Sequence, residues 1–241
     1  MDNIDYSWDD NDKAENIEIT ADSPSKKPAK KENISTRHHI QIMRRLFHMF
    51  NGFAIATLYL VSFDHSQMVH FLGTVACVLY LVEQVRVNYP ETAAKLIPVT
   101  RFIIRAEEQL KESAMVPYAM AVLLTIVVFP KHIALIGIYS LAFADPLSAI
   151  IGIKFGKHKI SPTRSVEGSL AFFVSVFLVS IFILTGYNEQ FEISILLVSA
   201  LLGLICAGFD LIPLKLDDNL TIPLFTSASL WIVCTLFGIY I

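Results

Sequence analysis

Seven runs of apolar residues, each near the length that crosses a bilayer, restrict this chain more than any other feature. They lie at about Leu46–Phe63, Met68–Val85, Ala114–Pro130, His132–Ile153, Ser169–Tyr187, Ile193–Phe209 and Leu220–Ile241. A hydrocarbon core about 30 Å thick takes about 20 residues of helix to span. Inside it each backbone amide must find its partner within the segment, so such runs fold as helices and not as open strands. The polar turns His65-Ser66-Gln67, Pro130-Lys131 and Tyr187 to Glu192 are short enough to make the helices they join antiparallel neighbours. The expected fold is all-α, a polytopic membrane helical bundle with about seven transmembrane helices.

Composition agrees, with 54% hydrophobic residues against 17% charged in 241 residues. An ordinary soluble domain of this size is less apolar. The three cysteines, Cys77, Cys206 and Cys234, fall in apolar runs without CxxC spacing, which speaks against a zinc site or a disulfide framework. Residues 1–36 are polar, acidic first and then basic, and read as a disordered charged tail ahead of a membrane domain over 37–241. With the N-terminus placed in the cytoplasm, 18 of the 19 Lys and Arg residues fall on the cytoplasmic side and only Lys131 falls opposite. Positive charge collects in cytoplasmic loops, so this split supports seven spans with the C-terminus on the far side. It also brings every polar motif to the cytoplasmic face. In the longest connection, Asn88 to Ser113, the apolar residues Phe102, Ile103, Ala106 and Leu110 suggest a short helix lying in the interface or an ordinary amphipathic connector.

Chemistry concentrates in residues 144–170, ADPLSAIIGIKFGKHKISPTRSVEGSL. Asp145 lies inside an apolar run, thirteen residues past His132, or about 20 Å along a helix. An ionisable group at membrane depth is by default a functional candidate. Pro146 follows and is expected to kink or open the helix. Within its own run Asp145 meets no cation before Lys154, which favours a metal ion as its countercharge. Glycines Gly152 and Gly156 and the cations Lys157, Lys159 and Arg164 come next, a combination that suits a polyphosphate. Asp217, Asp218 and Asn219 cluster after the sixth run, close to Asp210, and such oxygen donors suit Mg²⁺. A solvated acidic turn is the plainer alternative. In RRLFHMFNG, residues 44–52, His48 and Gly52 share a helix face with Arg45 nearby, and the histidine alone reads as an interface residue. Glu83 and Arg86 have the spacing of an intrahelical ion pair. No GxxxxGK[ST], GxSxG or HExxH is present, so a nucleotide is not held by a P-loop.

In this order the motifs resemble a family. Asp145-Pro-x-Ser-Ala-x-x-Gly152-x-x-x-Gly156-x-x-Lys159 followed by Arg164-Ser165-x-Glu167-Gly168-Ser169 is similar to the signature of polyprenol (dolichol) kinases, phytol kinases and CTP-dependent diacylglycerol kinases, related to phosphatidate cytidylyltransferases. RRLFHMFNG, Glu83-x-x-Arg86 and DDNLTIPL match the same group, so the resemblance spans roughly residues 45–225. Ala144, Asp210 and Arg164 depart from it, where Gly, Glu and Lys are common. The resemblance implies a lipid kinase moving the γ-phosphate of CTP to a membrane lipid alcohol, diacylglycerol first, then phytol or dolichol. It implies that Gly152, Gly156, Lys157, Lys159, Arg164, Ser165 and Gly168 hold the nucleotide. Mg²⁺ would sit on Asp145, Asp217, Asp218 and Asn219, supported by Arg45, Glu83, Arg86 and Asp210. The proton acceptor stays open among Asp145, Glu167 and His48. A phosphatidate cytidylyltransferase and a small transporter are the alternative readings. No nucleic-acid partner is expected, and the oligomeric state is left open.

Overall fold

The computed structural model describes residues 34–89, 91, 115–161, 164–188, 192–212 and 217–238. Among the described residues there are seven helices and no strand: α1 (Ile34–Val61), α2 (His65–Asn88), α3 (Met115–Val128), α4 (Lys131–Lys154), α5 (Val166–Asn188), α6 (Ile193–Asp210) and α7 (Asp218–Phe237). Each coincides with one apolar run. Helix α1 starts earlier than its run, inside the stretch read as tail. The rest of that tail and the interfacial helix expected around 102–111 lie outside the described residues.

Helices α2, α4, α5, α6 and α7 are long and apolar enough to cross a membrane, while the apolar part of α1 (His48–Val61) and α3 are shorter. The chain is therefore a membrane protein. Helix α4 is its centre, packed against α1, α3, α5 and α7. All residues from Ile133 to Ala142 are buried, as befits a helix apolar on every side. Without a hydrophobic drive between helices in lipid, close approach of small residues takes over. A Cβ on Gly137 would strike Ser227 Oγ and lie 2.6 Å from the Pro223 carbonyl of α7. One on Gly52 would lie 2.7 Å from Ala142 Cβ.

Helices α1 and α4 run antiparallel along a continuous seam. Arg45 faces Asp145 at 3.9 Å, Gly52 meets Ala142, and Thr57 Oγ1 and Tyr139 Oη share a hydrogen bond of 3.0 Å. At the far end Lys131 Nζ donates to the Phe63 carbonyl (2.7 Å) and sits 5.2 Å over the Tyr59 ring. That lysine, the one cation predicted on its side, thus closes the C-terminal end of α1. The helix does not open at Pro146, because α4 continues through it to Lys154. Pro146 costs one backbone hydrogen bond, and the packing around α4 holds the helix across it.

Candidate active site

A cavity of about 530 Å³ opens at the end of the bundle where α4 and α6 finish and α5 and α7 begin. That volume is typical of small-molecule sites. Its lining has a cationic part, Arg45, Lys159 and Arg164, and an apolar part, Ala149, Ile153, Leu211 and Ile212.

Lys159 and Arg164 are carried by a small hairpin between α4 and α5. Lys159 and Ser165 pair across it, Val166 N donates to the His158 carbonyl (2.9 Å), and Ile160 N donates to the Arg164 carbonyl (3.1 Å). Ser161 Oγ accepts from Arg164 N at 3.1 Å. Glu167, in the first turn of α5, reaches back to the loop: His158 N donates to it at 3.2 Å and His158 Nδ1 lies 2.8 Å from it. Ser165 caps α5, its hydroxyl accepting from Gly168 N at 3.2 Å.

Ser165 also explains the glycines. Added Cβ atoms on Gly152, Gly156 and Gly168 would come within 3.2, 2.7 and 3.3 Å of its hydroxyl. The one on Gly156 would also strike the Gly152 carbonyl, and the one on Gly168 would lie 2.8 Å from the Ser148 carbonyl. The three glycines let the end of α4 and the start of α5 close on one buried serine. Gly152 and Gly168 line the cavity, whereas Gly156 does not.

Carboxylates from three helices converge on two arginines. Arg164 Nη2 contacts Asp210 Oδ1 at 2.8 Å and Asp218 Oδ2 at 3.5 Å. Asp210 is buried, at 7% exposure, and Asp218 is exposed. Asp217 caps α7, accepting from Asn219 N at 2.9 Å. Asp145 faces Arg45, and its backbone carbonyl accepts from Ser148 Oγ at 3.0 Å. Within α4 Asp145 meets no cation before Lys154, and α1, a hundred residues earlier, brings Arg45 to it. Asp145 also lies within electrostatic range of Asp217 and Asp218. Among the described residues no three His, Cys, Asp or Glu side chains close into a metal cage.

The other sequence candidates sort as follows. Lys159, Arg164, Ser165, Asp210, Asp218 and Arg45 line the cavity, as do Gly152 and Gly168. Lys157 is exposed and does not line it, and neither Glu167 nor Asp145 does. His48 packs edge-on against Tyr118, ring centres 4.7 Å apart, on the α1–α3 side. Glu83 and Arg86 form the expected pair, buried and two-pronged at 2.9 and 2.6 Å, away from the cavity. Sequence reasoning gave no role to Ser148, Ser161 and Ser169, all of which line the cavity. Ser148 and Ser169 stand inside the quoted motifs.

A helical membrane protein with a cavity at the helix ends, lined by cationic and apolar residues together, is the class that fold and site define. The chain belongs to the cytidylyltransferase family, which it matches over residues 29–212. It is 25% identical over 214 residues to CTP-dependent diacylglycerol kinase 1 of Saccharomyces cerevisiae, covering 80% of this chain and 72% of that one. It is 28% identical to the chloroplastic phytol kinase 1 of Arabidopsis thaliana, covering 81% and 68%. A segment of 46 residues is 52% identical to the dolichol kinase of Schizosaccharomyces pombe, covering 19% and 9%. The resemblance read from the motifs is thus met in named relatives from all three kinase groups. No solved structure matches the chain.

Proposed function

We propose that the chain is a CTP-dependent lipid kinase that transfers the γ-phosphate of CTP to the hydroxyl of a membrane lipid alcohol, diacylglycerol before phytol or dolichol. The observation that carries this reading is a cavity lined both by the cations Arg45, Lys159 and Arg164 and by the apolar residues Ala149, Ile153, Leu211 and Ile212. Phosphoryl transfer needs positioning and charge neutralisation more than covalent help from the protein. Lys159 and Arg164, presented by one hairpin, hold the phosphates, and Arg164 is itself oriented by Asp210 and Asp218. The acceptor arrives from the bilayer, and the apolar residues of the cavity suit its hydrocarbon. The charge split of the loops supports a cytoplasmic site and N-terminus, with the C-terminus opposite.

A divalent cation such as Mg²⁺ fits the donors at the mouth, because it binds through one or two carboxylates together with substrate phosphates and needs no complete protein cage. Asp218, exposed on the cavity and 3.5 Å from Arg164, would hold it, with Asp217 and Asn219 beside it and Asp145 within electrostatic range. When bound, it supplies charge neutralisation to the phosphates.

The family's name keeps a second reading in play, transfer of the cytidylyl group to a lipid phosphate. One experiment separates the two. Purified protein receives CTP labelled at the γ- or the α-phosphate, with diacylglycerol, phytol, dolichol or phosphatidic acid in micelles. Label from the γ-phosphate in the lipid product is expected. Label from the α-phosphate on phosphatidic acid selects the cytidylyltransferase, and label from neither position refutes both. In the same assay Lys159→Ala should lower kcat/KM for CTP roughly 10- to 150-fold, the worth of one charge-assisted contact of about 1.5–3 kcal/mol.

A further inference from the structure

Two cavity-lining residues each hold a side-chain oxygen that is buried and has no hydrogen-bond partner among the described residues: Asp210 Oδ2 and Ser169 Oγ. A carboxylate oxygen withdrawn from water without a partner is costly, so its partner is expected to be what fills the cavity. The other oxygen of Asp210 is fixed by Arg164 at 2.8 Å, which sets the direction of Oδ2. The two atoms are complementary in kind. A carboxylate oxygen accepts a hydrogen bond, and a serine hydroxyl donates or accepts one. A hydroxyl group satisfies both, whereas a phosphate oxygen placed against Asp210 would meet like charge. The exposed side chains Ile153 and Ile212, 40% and 54% accessible, stand on the same cavity and offer hydrocarbon a way in.

We propose that Asp210 and Ser169 form the subsite for the acceptor's hydroxyl and that Asp210 removes its proton, an inference that rests on the lipid-kinase reading above. The acceptor oxygen donates its hydrogen to Asp210 Oδ2 and accepts one from Ser169 Oγ. As that oxygen bonds to the γ-phosphorus of CTP, its O–H bond breaks and the proton passes to Asp210. The bond from the γ-phosphorus to the bridging oxygen breaks, and CDP leaves with the electron pair. The three proton acceptors left open by the sequence are engaged elsewhere. Asp145 faces Arg45, Glu167 is turned to His158, and His48 packs on Tyr118.

The test uses the full chain in detergent micelles with γ-labelled CTP and short-chain diacylglycerol. It is repeated with alcohols of matched chain length whose hydroxyl is made more acidic by fluorination beside it. CTP binding is measured separately by equilibrium dialysis. Asp210→Asn should lower kcat roughly 10²- to 10⁴-fold, the usual worth of a general base, with CTP affinity within about two-fold. The deficit should shrink as the acceptor becomes more acidic. Ser169→Ala should raise KM for the acceptor roughly 2- to 12-fold, the worth of one hydrogen bond, and leave KM for CTP alone. Should Asp210→Asn fail to fold, Asp210→Glu, which keeps the charge, takes its place. It should retain CTP binding, lose turnover and show the same gain with fluorinated acceptors. Near-normal turnover in the Asp210 variant overturns the proposal. A loss of CTP binding in parallel with turnover does so too, since Asp210 would then only hold Arg164. An unchanged deficit across the fluorinated series is equally fatal. If the wild-type chain phosphorylates no lipid alcohol, the kinase reading falls and this subsite with it. If the wild type does and Asp210→Asn matches it, the subsite alone falls.

Discussion

Removing Arg45 should harm the protein more than removing the acid it faces. The two charges are 3.9 Å apart, the Arg45 side chain 33% and the Asp145 side chain 17% exposed. Coulomb attraction at that distance is about 4 kcal/mol at an effective dielectric of about 20. Solvent reaches a third of the arginine, so screening reduces the usable coupling to about 1–2 kcal/mol. The partners differ in what each leaves behind. Arg45→Ala strands a largely buried carboxylate beside α1, at an expected cost of about 2–3 kcal/mol. Asp145→Asn leaves a long cation that swings to water, at a cost below about 1 kcal/mol. The double variant should be more stable than Arg45→Ala alone, by about the coupling energy. Unfolding by sodium dodecyl sulfate titration in mixed micelles, followed by far-ultraviolet circular dichroism, measures all four proteins. Equal losses for the two single variants, or strictly additive ones, would refute the assignment. A neutral Arg45→Ala combined with destabilisation of the wild type by EDTA would transfer the countercharge to a bound cation.

The remaining predictions follow from packing and topology. Gly156→Ala should destabilise the protein by about 1–3 kcal/mol in the same titration and disable phosphoryl transfer, because its Cβ meets Ser165 at 2.7 Å and the Gly152 carbonyl. Gly73→Ala and Gly186→Ala, with nothing within 4 Å of the new atom, should be neutral or stabilising by up to about 1 kcal/mol. A topology reporter inserted at 157–161 should report the cytoplasm and one placed after Ile241 the opposite side; the same side for both would remove the orientation.

The helices were legible because a bilayer imposes length and apolarity on each segment separately, and both are local properties of sequence. The Glu83–Arg86 pair was legible for the same reason, as it depends on spacing within one run. The site was only half legible. Gly152, Lys159, Arg164, Ser165 and Gly168 do gather at one cavity with Asp210 and Asp218, but their partners are not local. Arg45 and Asp145 meet across helices a hundred residues apart, and no periodicity announces that. The glycines signalled a close approach correctly, yet what approaches is the Ser165 hydroxyl. Glu167, one of the three candidates for proton acceptor, meets His158 of the hairpin across nine residues, a contact that spacing alone does not show. The cavity serines were overlooked because a serine in an apolar run often just bonds the preceding turn, as Ser175 does with Ala171.

The burial of α4 on every side bears on how this sequence is free to drift. Helices that present a flank to lipid, such as α2 with its exposed Val78, Tyr80 and Leu81, need only remain apolar there, and one large aliphatic residue serves as well as another. From Ile133 to Ala142 no such flank exists, and a methyl group added or lost is felt by another helix whichever way it points. A saturation scan should therefore show tolerance that rises and falls every three to four positions along α2, and uniform intolerance along α4. The same enclosure makes α4 the rod against which the cavity is levelled. A side chain added at Gly137 would press on Ser227 and the Pro223 carbonyl, and Pro223 stands within two turns of the cavity residue Asp218 at the start of α7.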